Sequence, residues 1–218
     1  MKRHIKYSVA FILILTFISL PAFGKPSKYE AVKTKVPHKI AAKMNKFSYK
    51  NRCPIKIKDL VYIKLKHWGF DGKVHNGELI VHTAVGDDIV GIFKDLFNAK
   101  FPIEKIHLID KYKGSDDFSM ADNNTSAFNC RAVTGRPGVF SKHSYGVAID
   151  INPVQNPYIS KKEILPPDGS KYVDRTNRRK GLIVKWDAVY KAFTKRGWTW
   201  GGSWRTLKDY QHFQKKLN

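Results

Sequence analysis

The sequence predicts an α+β domain over residues 58–218, and three observations predict it. Short stretches with strand-type apolar patterning recur along the chain, whereas only two segments carry apolar residues at helical spacing. A hydrophobic fraction of 42% with 13% aromatic residues is that of a folded protein with a buried core. The chain has no internal repeat, and 218 residues suffice for one domain with extensions.

In chain order, the first segment is not part of that domain. Lys2, Arg3 and Lys6 precede an apolar run from Val9 to Leu20, followed by Pro21, Ala22, Phe23 and Gly24. A basic start, about a dozen apolar residues and small residues at the end are the layout of a secretory signal peptide over 1–24, cleaved after Gly24. The alternative, an uncleaved anchor, meets a run shorter than the ~20 residues a spanning helix needs. No other stretch could span a membrane. The expected location is periplasmic or secreted. Cleavage removes three formal positive charges, from +22 to +19, so the mature chain stays strongly basic and attracts polyanions to its surface.

Residues 25–57 read as a basic lead-in, Lys-rich with Pro26 and Pro37 and a helical turn near Ala41 to Phe47. Leu60 to Gly69 alternates as a strand, Phe70-Asp71-Gly72 signals a turn, and Glu78 to Val85 reads as a buried strand. Asp87 or Asp88 can cap the helix that follows, whose stripe is Ile89, Ile92, Phe93, Leu96 and Phe97. Pro102 ends it. Lys105 to Tyr112 is expected as a strand, 114–124 as a polar loop, and Thr125 to Arg131 and Val147 to Ile151 as strands flanking a loop that carries His143.

Residues 153–181, rich in Pro and Gly, read as a long irregular connection of the kind that is usually functional. Trp186 to Arg196 is a short amphipathic helix ended by Gly197, Trp198 to Trp204 an aromatic loop, and Asp209 to Phe213 a closing strand. Cys53 and Cys130 lie 77 positions apart without the spacing of a zinc knuckle or redox motif. In an oxidising compartment they can form a disulfide, though spacing alone does not bring them together.

Candidate chemistry gathers in Ser141-Lys-His-Ser-Tyr-Gly-Val-Ala-Ile-Asp150. Gly146 supplies the turn, and beyond it Val147, Ile149 and Ile151 share one strand face while Asp150 shares the other with Ala148 and Asn152. His143 and Asp150 are either a hydrogen-bonded structural pair or two ligands of one divalent metal. Asp209-Tyr-Gln-His212 adds a second histidine and a carboxylate that need not bind the metal. A hydrolytic zinc site uses three protein ligands, an open position and a nearby base. His38, His67, His75 and His107 show no ligand spacing, and Glu78 with His82 reads as a structural pair on one strand face.

The pattern Ser141-x-His143-x-x-Gly146-x-Ala148-x-Asp150, followed by Asp209-x-x-His212, resembles the peptidoglycan-cleaving metallopeptidases of the D-alanyl-D-alanine carboxypeptidase and dipeptidase type. The longer runs Asn124 to Arg131, His143 to Pro153, Trp198 to Trp204 and Asp209 to Phe213 resemble the branch holding phage endolysins and bacterial L-alanyl-D-glutamate peptidases. Aspartate at 209, where the dipeptidases carry glutamate, favours that branch.

The resemblance spans roughly residues 58 to 213. It implies a hedgehog-like fold with a small central antiparallel sheet, flanking helices and the metal on the sheet. It further implies His143, Asp150 and His212 as ligands of one zinc ion and Asp209 as general base. Arg131 corresponds to an arginine over the scissile carbonyl, where a fixed cation stabilises developing oxyanion charge; its plainer alternative is a surface salt bridge. Ser141 is expected to touch substrate or orient a ligand, and Tyr145 and Trp204 to contact substrate. Trp198, Trp200 and Trp204 either line a groove or form a packed turn.

The implied substrate is a peptidoglycan stem peptide, cut at L-Ala-D-Glu, by a monomer. Removal of terminal D-Ala is the rival within the enzyme class. A non-catalytic wall-binding protein on the same fold is the rival outside it, and the joint presence of four site residues argues against that. A nucleic-acid partner is not expected, since neither a P-loop nor an aromatic RNA-binding sheet motif is present.

Overall fold

The computed structural model describes residue 1, residues 27–50 and residues 52–217. The expected signal peptide lies, beyond Met1, outside the described residues. Among those described, no helix is long and apolar enough to cross a membrane.

The basic lead-in belongs to the fold, correcting the boundary expected at residue 57. Ala31–Lys35 (β1) pairs antiparallel with Leu60–Trp68 (β2), Ala31 opposite Leu65 and Lys35 opposite Val61. As an edge strand exposed along most of its length, β1 carries the lysines that keep open edges from pairing with other chains, and its sequence reads as solvated. His38–Lys46 (α1) then buries Met44 beside Leu60, Tyr62 and Ile80. Cys53 and Cys130 are disulfide-bonded, their Cα atoms 5.8 Å apart, which fastens this segment to the residue before Arg131.

Val74–His82 (β3) completes the β1-β2-β3 sheet through a hairpin that sets Trp68 opposite Val74. The strand stops three residues before the expected Val85, because Thr83–Val85 turns into a 3-10 helix. Gly86–Asn98 (α2) buries the expected stripe of Ile89, Ile92, Phe93, Leu96 and Phe97 against β2 and β3. Five such side chains contribute roughly 10 kcal/mol before chain entropy is subtracted. Neither Asp87 nor Asp88 caps this helix. Val85 holds that position, and both acids sit in the first turn, where their charge suits the helix dipole. Asp88 accepts from Trp198 Nε1 at 3.1 Å and from Lys215 Nζ at 2.6 Å, joining the helix to the end of the chain.

The strand expected over 105–112 is only Lys105–Ile106 (β4), followed by a 3-10 turn at Ile109–Tyr112. The loop expected over 114–124 contains Asp116–Ala121 (α3), capped by Ser115 Oγ accepting from the Phe118 amide. Asn124–Thr125 (β5) pairs parallel with β4. Ala132–Val133 (β6) and Arg136–Phe140 (β7) form a hairpin that was not expected.

The remaining strands are short: Ala148–Asp150 (β8), Tyr158–Ile159 (β9) and Ile164–Leu165 (β10). Ala188–Thr194 (α4) is followed by Thr199–Trp200 (β11), Lys208–Asp209 (β12) and His212–Gln214 (β13). Two further antiparallel sheets result, ordered β11-β13-β8 and β10-β9-β12. The chain is thus mixed helix and strand with several small antiparallel sheets. The main core lies between the first sheet with α2 and the β11-β13-β8 sheet with α4, where the rings of Phe193 and Phe213 stack at 4.0 Å.

The connection over 153–181 is held mostly by polar groups. Arg175 donates to the carbonyls of Gln155 and Ile183 and to Asn156 Oδ1, and its guanidinium lies 4.3 Å from the Tyr210 ring centroid. Burial lowers its pKa to about 10, which still leaves it charged at neutral pH.

Candidate metal centre

β8 and β13 pair so that Asp150 stands directly opposite His212. Asp150 is also held from the other side, its amide donating to the Ser126 carbonyl at 2.9 Å and its carbonyl accepting from the Ser126 amide at 3.0 Å. His143 arrives from the 3-10 turn Lys142–Tyr145, which Ser141 caps with its hydroxyl oxygen accepting from the His143 amide. Gly146 ends that turn at φ +66°, and a Cβ there would lie 2.6 Å from the His82 amide nitrogen. A left-handed turn pressed against β3 therefore needs glycine. It delivers His143 and Asp150 to one point.

There, His143 Nε2 lies 3.2 Å from His212 Nδ1 and 3.0 Å from Asp150 Oδ2, and His212 Nδ1 lies 2.9 Å from Asp150 Oδ1. All three residues are buried. The other nitrogen of each ring is committed elsewhere: Nδ1 of His143 donates to the Ala127 carbonyl, and Nε2 of His212 donates to Gln214 Oε1 at 3.1 Å. Such outer partners fix the tautomers and direct the remaining lone pairs inward.

Two imidazole nitrogens and a carboxylate turned on one another fit a divalent cation. Donors 2.0–2.1 Å from a tetrahedral zinc stand about 3.3 Å apart, close to the spacing seen. Without a cation the cluster's charges compensate one another. Burial opposes ionisation of Asp150, but the flanking His143 and His212 outweigh it and hold its pKa well below the carboxylate range. Burial likewise works against protonated His212, yet the bond to Asp150 raises its pKa to about 9.

These side chains form the floor of a cleft of about 410 Å³, whose walls include Arg131, Arg136, Tyr158, Trp204 and Asp209. Asp209 lies on β12, three positions before His212, and its Oδ1 is fully buried without a hydrogen-bond partner. Desolvation raises its pKa to about 7, the neighbouring Asp150 adding to the shift while His212 and Arg131 oppose it. A carboxylate of that kind is poised to take and return a proton near neutral pH. Its backbone rests on Gly201, where a Cβ would meet the Asp209 carbonyl oxygen at 2.6 Å. The shorter aspartate side chain is thus accompanied by a close backbone approach.

Arg131 enters the same cleft, 4.0 Å from Asp150 Oδ2. It is not a surface ion pair: its side chain is mostly buried, and its guanidinium is bound at 2.8 Å by Asp116 of α3. Burial raises the Asp116 pKa, with Arg131 opposing that rise.

Ser141 and Trp204 line the cleft, and the Trp204 ring lies 5.6 Å from that of His212. Tyr145 does not line it. The tyrosine packs at the edge of the main core with Lys142 Nζ 5.7 Å from its ring, so its expected substrate contact is not seen. The aromatic loop divides between its two readings. Trp198 and Trp200 are core residues, with Trp200 Nε1 bonded to the Tyr210 carbonyl, and only Trp204 faces the cleft. His38, His67, His75 and His107 stay apart from the cluster, and His82 accepts from the Ala84 amide.

Three contributors were missed. Asp116 sat in a stretch read as loop, although Ser115 followed by two aspartates is a helix-start signal. Gln214 lies two positions beyond His212, hence on the same strand face, a spacing that could have named it. Arg136 belongs to the unforeseen hairpin.

A family model described as D-alanyl-D-alanine carboxypeptidase matches residues 134–215. That span holds Ser141, His143, Asp150, Asp209 and His212 and stops short of Arg131. No solved structure matches the chain. The family match and the buried His–Asp–His cluster together support a metallopeptidase.

Proposed function

We propose that this chain is a secreted or periplasmic zinc peptidase, acting as a monomer, that hydrolyses peptidoglycan stem peptides at the L-Ala-D-Glu bond. The observation that carries the reading is the buried, tautomer-fixed triad of His143, Asp150 and His212 with the unpartnered Asp209 carboxylate in the same cleft. The hedgehog-like fold and the endolysin-type branch belong to this proposal. They are supported by aspartate at 209, the order of the motifs and the small sheet under the triad.

His143 Nε2, His212 Nδ1 and Asp150 would hold the ion. When bound, zinc polarises a carbonyl and acidifies water. Asp209 takes the proton of the attacking water and returns it to the departing amine. Arg131, fixed by Asp116, presents positive charge to the scissile carbonyl oxygen, where charge grows toward the transition state. Trp204 and the cleft walls orient the peptide and exclude bulk water.

A second reading, removal of a terminal D-Ala, is favoured by the description of the matching family. Digestion of purified peptidoglycan by the mature protein, with and without a chelator, separates them by product mass. Chelator-sensitive new D-Glu amino termini support the endopeptidase, and loss of single D-Ala residues supports the carboxypeptidase. Absence of any metal-dependent product refutes both.

A further inference from the structure

The cleft has one wall that the catalytic groups do not use, the hairpin of β6 and β7. Val133 stands opposite Arg136 across its turn, and Val133, Thr134, Arg136, Val139 and Phe140 all line the cleft. Every residue of β7 is exposed, including the apolar Val139 and Phe140, so this strand is not part of the core. Exposed apolar side chains around one guanidinium on a cleft wall suit a small ligand with an apolar body and an anionic group.

The charges at the cleft narrow the ligand further. Among the lining residues the cations are Arg131, Arg136 and Lys142, whereas Asp209 is the one carboxylate. Arg131 is engaged by Asp116 at 2.8 Å, and Lys142 extends toward the Tyr145 ring. Arg136 has no carboxylate partner among the described residues. A guanidinium left over on a cleft wall matches a carboxylate, which it can grip with two parallel N–H bonds.

We propose that Arg136, carried into the cleft by the hairpin, is a specificity residue that pairs with a free carboxylate of the peptide substrate. This rests on the stem-peptide reading and deepens it. The same chemistry can come from two places in such a peptide: the free α-carboxylate of the D-glutamate that supplies the leaving amine, or the carboxylate at the peptide's end.

The test uses the zinc-loaded mature protein and a stem peptide in three forms: the free acid, the α-amide of D-glutamate, and the C-terminal amide. Turnover and calorimetric binding are measured for wild type, Arg136→Gln and Arg136→Lys. Wild type is expected to prefer the free acid over one of the two amides by about tenfold or more, the scale of a charge-assisted hydrogen bond. The amide that is disfavoured identifies the carboxylate that is read. In R136Q that preference collapses toward one through a higher KM and weaker binding of the acid, and R136K recovers part of it. An acid-to-amide preference that is the same in R136Q as in wild type overturns the proposal, as does equal binding of all three peptides to wild type. If wild type binds the peptides with that preference but hydrolyses none, the carboxylate contact stands and the peptidase reading falls.

Discussion

Gly201 offers the most direct structural lever on the proposed base. A Cβ at this position would lie 2.6 Å from the Asp209 carbonyl oxygen and 2.8 Å from the Asp209 Cβ, whereas ordinary contact begins at 3.4 Å. Gly201→Ala must therefore displace the backbone of Asp209 by about 0.8 Å, since backbone atoms cannot swing aside as the end of a flexible side chain would. Catalytic groups need placement to within about 0.5 Å, and a misplacement of about 1 Å costs on the order of 100-fold. The expected loss in kcat/KM is 30- to 100-fold by that estimate, with zinc affinity altered by no more than about threefold, because the three ligands lie on other contacts. Steady-state kinetics on a stem peptide and a competitive zinc titration measure the two quantities. A G201A protein that is normally folded and retains kcat/KM within twofold of wild type would refute the argument that this glycine positions the base.

Other consequences follow from the same structure. Replacing Cys53 and Cys130 by serine releases a 77-residue separation and should cost up to about 4.5 kcal/mol in the chain-entropy account, or roughly 10 °C in Tm, by calorimetry; a fall under about 3 °C contradicts this. His67 is 3% exposed, and burial lowers its pKa to about 4. The unfolded chain takes up that proton near pH 6.5, so the neutral imidazole's stabilisation is complete above pH 6.5 and drains as pH falls toward 4. Wild type should lose about 2–3 kcal/mol more than His67→Gln between pH 7.5 and 4.5 in chemical denaturation; parallel losses would exclude His67 as the cause. Because Asp209 acts deprotonated, kcat/KM should decline as pH drops below neutrality, the limb moving lower to the extent that a bound cation stabilises the carboxylate. A profile flat down to pH 4 is incompatible with this base.

The site was more legible in the sequence than the fold around it. His143 and Asp150 sit either side of one glycine turn, and Asp209 and His212 lie three apart. Local spacing therefore exposes the chemistry, although only the pairing of β8 with β13 brings the two halves together. The stripe of α2 was equally plain, because five apolar residues at helical period have one packing solution. Short elements were not. α3 has six residues and β4 and β5 two each, too few for a period to emerge. β1 escaped notice because its outward lysines mask a strand that gains its partner from residues thirty positions on. The connection over 153–181 owes its shape largely to Asn156 and Arg175 bonding backbone groups, an arrangement without hydrophobic pattern.

The claim that His143, Asp150 and His212 hold a metal while Asp209 serves as base is tested most directly by measuring bound zinc and peptide hydrolysis in the same preparations. Wild type should carry one zinc per chain and cleave. His143→Ala should lose both properties, and Asp209→Asn should keep its zinc while losing activity by roughly 100- to 10,000-fold. Full turnover in D209N, or undiminished zinc in H143A, would contradict the assignment.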